Sequence, residues 1–497
     1  MGGHIRRLVA GYGKRIHANG LTLDLRCQAA NQGKKKLPLL GRRDFLKLAG
    51  AGYGALALPF LPRTASAGWD EVPAILKRIR PPAFPKRDFD ISRYGASGEG
   101  IADCTKAIHQ AIGACSAAGG GRVVVPPGNY LTGAIHLQSN VNLHVSEGAT
   151  LRFSPDPRQY LPPVYTRWEG VECMSYSPLI YALDQENIAL TGNGTIDGQA
   201  DSEHWWWWNG NPLYGGSREK PNQMSARSRL FNMAESDTLV SERVFGEGSY
   251  LRPNFVQFYR CRNVLIEGTN VRRSPMWQIH PVLCTNVLVR GVKAVSHGPN
   301  NDGCNPESCR DVLIEDCLFD TGDDCIAIKS GRNRDGRRIG VPSENIIIRN
   351  CRMRDGHGGV TIGSEASGGV RNVYAEHCRM HSPNLDRVLR LKTNSFRGGF
   401  IENVFMREVT VGQVADAVLS INLYYEEGAS GPFPPKVHNI EMTNVTCRKS
   451  KYALYLRGYK GSPLRNIRLA QCSFENVAEA DIIENVEGLS FDHVTVN

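Results

Sequence analysis

The leader of this 497-residue sequence lacks an apolar run of membrane-spanning length. Its one candidate, Leu48 to Leu61, is shorter than the roughly 20 residues a spanning helix needs. No cysteine pair has the spacing of a zinc ribbon or a redox motif, although there are 14 cysteines. Cys27 lies in the leader, so the count beyond it is odd and leaves at least one unpaired thiol. A surplus of charge is also missing from most of the chain. Of 59 Lys and Arg against 49 Asp and Glu, residues 1 to 67 hold twelve and two, which leaves 47 against 47. The formal +10 therefore belongs to the leader, and bulk charge does not point to nucleic acid or any other polyanion.

The leader has its own logic. Arg42 and Arg43 precede the apolar stretch, and Ala65-Ser66-Ala67 offers small residues for cleavage before Gly68. This looks like a bacterial twin-arginine signal, which predicts passage through the twin-arginine machinery to the periplasm or outside the cell. The 41 residues ahead of it are long for such a signal and point to an early start codon. Residues 1–67 are expected to be removed, 68–87 to form a linker, and 88–497 to form one domain that meets no membrane once the signal is gone.

Long helices and Asn-Gly hairpin turns are missing from the region beyond Arg260. What recurs there is one phrase: "RNVLIEG", "TNVLVRG", "RDVLIED", "ENIIIRN", "RNVYAEH", "ENVFMRE", "HNIEMTN", "RNIRLAQ" and "EGLSFDH". Each is Asn or a stand-in followed by an alternating apolar run, which reads as a turn and a strand. The mark returns every 22 to 36 residues, a period that argues for an all-β parallel β-helix. Equivalent residues then stack about 4.8 Å apart. Asn263, Asn286, Asn345, Asn372, Asn403, Asn439 and Asn466 are predicted to form an amide ladder. Cys317, Cys351, Cys378 and Cys472, six residues after the mark, are predicted to form an interior one. Upstream, "ADCTKAIHQAIGACSAAGGG" predicts an amphipathic N-terminal capping helix. Asp103 is its N-cap, and Ile108, Ala111, Ile112 and Cys115 face inward.

Polar residues stand out against this repeat. "FDTGDDCIAIKSG" sets Asp323 beside Asp324, where each raises the other's cost of ionising. Gly-Asp-Asp is equally ordinary turn chemistry. Asp302 precedes Asp323 by 21 residues, His357 follows by 34, and Arg390 lies 33 further on. Each gap is about one coil, so these residues are expected on one face, with Lys392 beside Arg390 on the same side of its strand. Three carboxylates in a groove suit hydrolysis of a glycosidic bond, which needs an acid for the leaving oxygen and a base for water. Arg390 and Lys392 suit a carboxylated sugar.

These residues resemble glycoside hydrolase family 28, the polygalacturonases. "NND" at Asn300 to Asp302, Gly322-Asp323-Asp324, Gly356-His357-Gly358 and Arg390-Leu391-Lys392 match four ordered motifs, and the likeness runs from about Asp88 to the C-terminus. The resemblance implies a right-handed, single-stranded, pectin-lyase-like solenoid. It also implies inverting hydrolysis of α-1,4-galacturonosyl linkages in pectin or polygalacturonate. Asp323 would be the general acid, Asp302 and Asp324 would activate water, and His357 would tune the acid. Asn300, Arg390, Lys392 and Tyr425 would bind substrate. Neither metal nor cofactor is called for, and a monomer is the default. Asn301 stands where the family has Thr, and the late family Tyr fits either Tyr424 or Tyr425, of which Tyr425 is preferred.

Two other readings remain on the same fold. A calcium-dependent pectate lyase would use the carboxylates for metal and Arg390 or Lys392 as base. A noncatalytic polysaccharide-binding solenoid would leave the charges without a role. The stretch from Gln199 to Tyr250 is long enough to wall off one end of a groove, which would favour action at chain ends. The four tryptophans Trp205 to Trp208 are expected mainly to pack a loop, and Trp277 and His280 either to touch substrate or to support those that do.

Overall fold

Each Asn-led phrase forms a strand, and successive strands lie directly on one another. In the computed structural model, which describes residues 68–497, Val264 pairs in register with Val287, then Val312, Ile346, Val373, Val404, Ile440, Ile467 and Leu489. All pairings of this long sheet are parallel. A second parallel file runs through Ile326–Ile328, Val360–Gly363, Arg387–Lys392, Ala417–Asn422, Tyr452–Arg457 and Ile482–Glu484. Bridges at Cys304 and Glu307 join it to the earlier strands Ile279–Val282 and Val256–Tyr259. The chain is thus a parallel β-helix, and its interior is the stack of apolar residues that the repeat predicts. The twin-arginine and start-codon expectations concern residues 1–67 and lie outside the described residues.

The amide ladder is present and longer than expected. Each Asn Nδ2 donates to the Oδ1 of the coil before, from Asn187 onto Asn140, through Asn263 and Asn286, and again from Asn372 to Asn466, at 2.8 to 3.2 Å. These residues hold φ between 52° and 64°, a left-handed conformation that Asn tolerates better than most side chains. Asp311 interrupts the file. A carboxylate can accept from Asn345 at 3.0 Å but has nothing to donate to Asn286. The vacancy is filled from the N-terminal side: Arg78 pairs with Asp311 at 2.7 Å, and the Arg80 amide donates to Asn286 Oδ1 at 2.8 Å.

The stretch 68–87 is therefore not a free linker. It contains helix α1 (Val72–Arg78), which lies against the strand Arg310–Glu315; its Val72 and Ile75, with Ile79 just beyond, join an apolar cluster on the outside of the long sheet in which Leu313 is stacked with Ala189, Leu265, Leu288, Ile347, Tyr374 and Phe405, and Trp69 meets the Tyr374 ring edge-on. The predicted cap is helix α2 (Thr105–Ala117), with Ile108, Ala111, Ile112 and Cys115 buried. Its N-cap residue is Cys104 rather than Asp103; the Asp103 carboxylate takes the Thr105 amide from one position earlier, at 2.9 Å. The thirteen cysteines among the described residues are buried free thiols, including Cys317, Cys351, Cys378 and Cys472. A second file, Cys261, Cys284 and Cys309, stands two residues before the mark on three successive coils.

Candidate active site

Register brings the carboxylates together. Cys304 bridges Ile326, which pairs with Val360, so Asp302 and Asp324 occupy equivalent places on neighbouring coils, as do Asp323 and His357. Carboxylate oxygens of Asp302, Asp323 and Asp324 lie within 4.8 Å of one another. The residue equivalent to Asp324 on the next coil is Gly358, where a side chain would meet Thr361 Oγ1 at 2.3 Å and Asp324 Oδ1 at 3.0 Å. Glycine there leaves the space in which Asp324 lies. Arg390 is out of step with the others: it pairs with Thr361, four residues beyond His357, and the length of its side chain brings the guanidinium back to the acids.

Each acid has a different electrostatic setting. Asp324 is fully buried, which disfavours its charge, but Lys392 Nζ at 2.7 Å and Arg390 at 3.0 Å outweigh burial and hold it far below the usual carboxylate range. Thr361 Oγ1 donates to it at 2.8 Å. Asp302 is pushed up to about 7, first by burial and then by the charge of Asp323. Asn305 donates to its Oδ2 at 2.8 Å, and Lys329 Nζ stands 3.7 Å from the same atom. Burial also raises Asp323, yet the His357 Nδ1–H bond at 3.0 Å, with the positive charge of that ring, keeps it below its ordinary value. Reciprocally, the hydrogen bond and charge of Asp323 raise His357 to about 9. Of the three, Asp302 is thus the acid most favoured to carry a proton and Asp324 the least, and such a cluster titrates as a unit.

A divalent cation at this cluster would face Lys392, Arg390, Lys329 and protonated His357 in place, which is poor chemistry for a calcium site.

The remaining predicted residues line or support the cleft. Asn300 lines it and accepts from buried Arg252 at 2.7 Å. Asn301 is wholly buried; its Oδ1 accepts from the Gly298 amide at 2.9 Å and its Nδ2 donates to the Ser274 and Met276 carbonyls, so it braces the turn that carries Asp302. Tyr425 faces the cleft with Lys392 5.3 Å from its ring centre, whereas Tyr424 packs edge-on against Tyr459. Trp277 lines the cleft beneath Lys329, and His280 is buried behind it in contact with Glu307 at 2.7 Å. Trp205 and Trp208 are core residues; Trp206 covers Gly298 and donates to the Ser274 carbonyl at 2.9 Å.

Sequence reading missed Lys329, Glu365, Arg332, Arg227 and Glu169, which line a cavity of about 90 Å³ together with Asp302 and Asp323. Lys329 was visible as a lone cation inside the apolar run after Asp324. Glu169 comes from the hairpin of Val164–Trp168 and Val171–Ser175, and Arg227 from helix α3 (Met224–Glu235), insertions that carry no repeat mark. On the other side of the acids a larger cavity of about 370 Å³ runs from Arg390 and Lys392 toward Lys451 and Tyr455.

Three carboxylates with oxygens within 4.8 Å of one another, in a groove across the coils of a parallel β-helix, define an acid–base glycosidase built on a solenoid. The profile of Glycosyl hydrolases family 28 matches residues 246–494, and that of Rhamnogalacturonase A/epimerase, pectate lyase-like, matches residues 89–145. The fold is similar to that of a hyperthermoactive exopolygalacturonase from Thermotoga maritima at TM-score 0.84 and 47% identity, covering 86% of this chain and 96% of that one. In sequence it is 28% identical to a probable polygalacturonase of Vitis vinifera, over 80% of this chain and 77% of the relative. It is 26% identical to an exo-poly-alpha-D-galacturonosidase of Dickeya chrysanthemi, over 83% and 71%. The chain belongs to glycosyl hydrolases family 28.

Proposed function

We propose that the protein hydrolyses α-1,4-galacturonosyl linkages of polygalacturonate with inversion, acting from a chain end. The observation that carries this reading is the triad itself: Asp302, Asp323 and Asp324 with carboxylate oxygens within 4.8 Å of one another, where burial and the charge of Asp323 favour a proton on Asp302 while Lys392 and Arg390 hold Asp324 ionised. Transfer of the proton from Asp302 to Asp323, across a gap that one water or sugar hydroxyl can bridge, creates both catalysts at once. Asp323 then protonates the leaving oxygen. Ionised Asp302, with Asp324 held ionised by Lys392 and Arg390, takes a proton from the attacking water, whose oxygen bonds to the anomeric carbon as the glycosidic bond breaks. His357 tunes Asp323. Asn300, Arg390, Lys392 and Tyr425 bind substrate, the two cations through its carboxylates.

Action at a chain end is supported by the walls of the smaller cavity, supplied by the hairpin and α3, against the larger cavity beyond Arg390. Two of the relatives are also described as exo-acting. Residues 1–67 serve as a twin-arginine export signal, so the mature enzyme works as a monomer on pectic polysaccharide in the periplasm or outside the cell, and the amino terminus of exported protein should be Gly68.

The test is to incubate residues 68–497 with polygalacturonate, with and without a calcium chelator, following reducing ends and the ultraviolet absorbance of unsaturated uronate. Reducing ends without absorbance support hydrolysis. Absorbance that a chelator abolishes would make the acids calcium ligands and the enzyme a lyase.

A further inference from the structure

Beyond the acids, the smaller cavity ends in a group of charges that bond-breaking does not use. Arg332 lies just past the strand Ile326–Ile328 and is only 5% exposed. Its guanidinium lies among four carboxylates and donates only long hydrogen bonds, to Glu365 and Glu426 at 3.4 Å, with Glu169 and Glu427 further off at 3.9 Å. Its buried Nε has no hydrogen-bond partner. Ion pairs of full strength close to about 2.7–2.9 Å. Arg332 is thus held in place by the surrounding charge while its donors stay under-used, a costly state for a buried guanidinium unless a ligand supplies the missing acceptors.

Its neighbours complete a receptor. Arg227 reaches in from α3, paired with Glu169 at 2.8 Å, and both guanidinium groups stack on the Phe231 ring, at 4.6 Å for Arg227 and 4.1 Å for Arg332. That ring fixes their planes. Lys329, 3.0 Å from Glu365, faces the same space next to Asp302. The arrangement offers a planar fork and a point charge within one small cavity, the combination that suits a carboxylate.

We propose that Arg332, with Arg227 and Lys329 beside it, recognises the carboxylate of the terminal uronic acid of the chain. The charge of the last sugar, in addition to the wall, then selects a chain end. The inference rests on the chain-end reading above and adds a specificity-determining residue to it.

Two trigalacturonates, each with the carboxyl group of one end sugar reduced to the alcohol, separate the possibilities when compared with unmodified trigalacturonate. Wild-type enzyme is expected to lose roughly tenfold to a hundredfold in kcat/KM on one of them, the effect of a charge-assisted contact. Arg332→Gln should be slow on unmodified trimer and indifferent to that change, and Arg332→Lys should recover part of the preference. A wild type that cuts all three trimers equally, or an Arg332→Gln variant that still discriminates, overturns the proposal while leaving chain-end action intact. An early ladder of long fragments from polygalacturonate would instead sink the chain-end reading. Should Arg332→Gln fail to fold, Arg227→Gln carries the same comparison, with loss of discrimination expected and its retention counting against the proposal.

Discussion

Lys392 Nζ lies 2.7 Å from Asp324 Oδ2, with both side chains withdrawn from solvent. The pair keeps one acid permanently ionised and so forces the proton of the cluster onto its neighbours. Replacing Lys392 with Met should cost more than substrate binding, because Asp324 would be left with Arg390 as its only close cation. The expected result is a fall in kcat as well as a rise in KM, measured by steady-state release of reducing ends. A change in KM alone would mean that Lys392 only binds substrate.

Asp323→Asn should lower kcat by roughly 10² to 10⁴, the usual scale for a lost general acid. Because an acid is needed only for a poor leaving group, the variant should recover much of its rate on a 4-nitrophenyl galacturonide. Asp302→Asn should show no such recovery. If Asp302→Asn is the variant that recovers, the roles of the two acids are exchanged.

The pH profile of kcat/KM reports the free enzyme. Asp302 holds the shared proton up to about pH 7, and His357 stays charged to about 9. Activity should therefore fall as pH rises through about 7, when the cluster loses its only proton. Lys329 lowers the pKa of Asp302. Lys329→Gln should let Asp302 keep its proton longer and move this alkaline limb to higher pH; movement downward, or none, would remove Lys329 from the account.

Oxygens of the three acids lie within 4.8 Å, closer than the roughly 6.5–9.5 Å usual between the carboxyl groups of inverting enzymes. Inversion is still expected, since Asp302 and Asp324 together can hold the water. Proton NMR of the first product should show the β-anomer. Early α-anomer would mean retention and a nucleophilic carboxylate.

Asn372 donates to Asn345 and accepts from Asn403, at φ 56°. Asn372→Ala loses both bonds and strains the backbone, for an expected loss of about 2 kcal/mol. Asn372→Gly should lose less, because glycine keeps the conformation. Chemical denaturation of the two variants compares them directly.

The solenoid was legible because its information is local: an Asn at a left-handed turn and an alternating strand recur whatever loop lies between. Asp302, Asp323 and His357 were placed by the same count. Arg390 was not, since counting residues ignores how far a side chain can reach. Arg227 and Glu169 escaped altogether, because insertions fold against the coils through contacts unrelated to the period. The part played by 68–87 depends on Asp311, whose missing donor shows only once the ladder is drawn.

Stacked coils touch only their neighbours, so a solenoid can fray from either end one coil at a time. The stretch 68–87 works against that order, because its apolar side chains, from Trp69 through α1 to Phe84, join one cluster with stacked residues of several coils, and Arg78 fastens the rung broken at Asp311. Peeling away a coil that this stretch touches means releasing the stretch from the others. The stretch that carries the acids is thereby tied into one cooperative block, and the ends can loosen while the catalytic centre stays assembled.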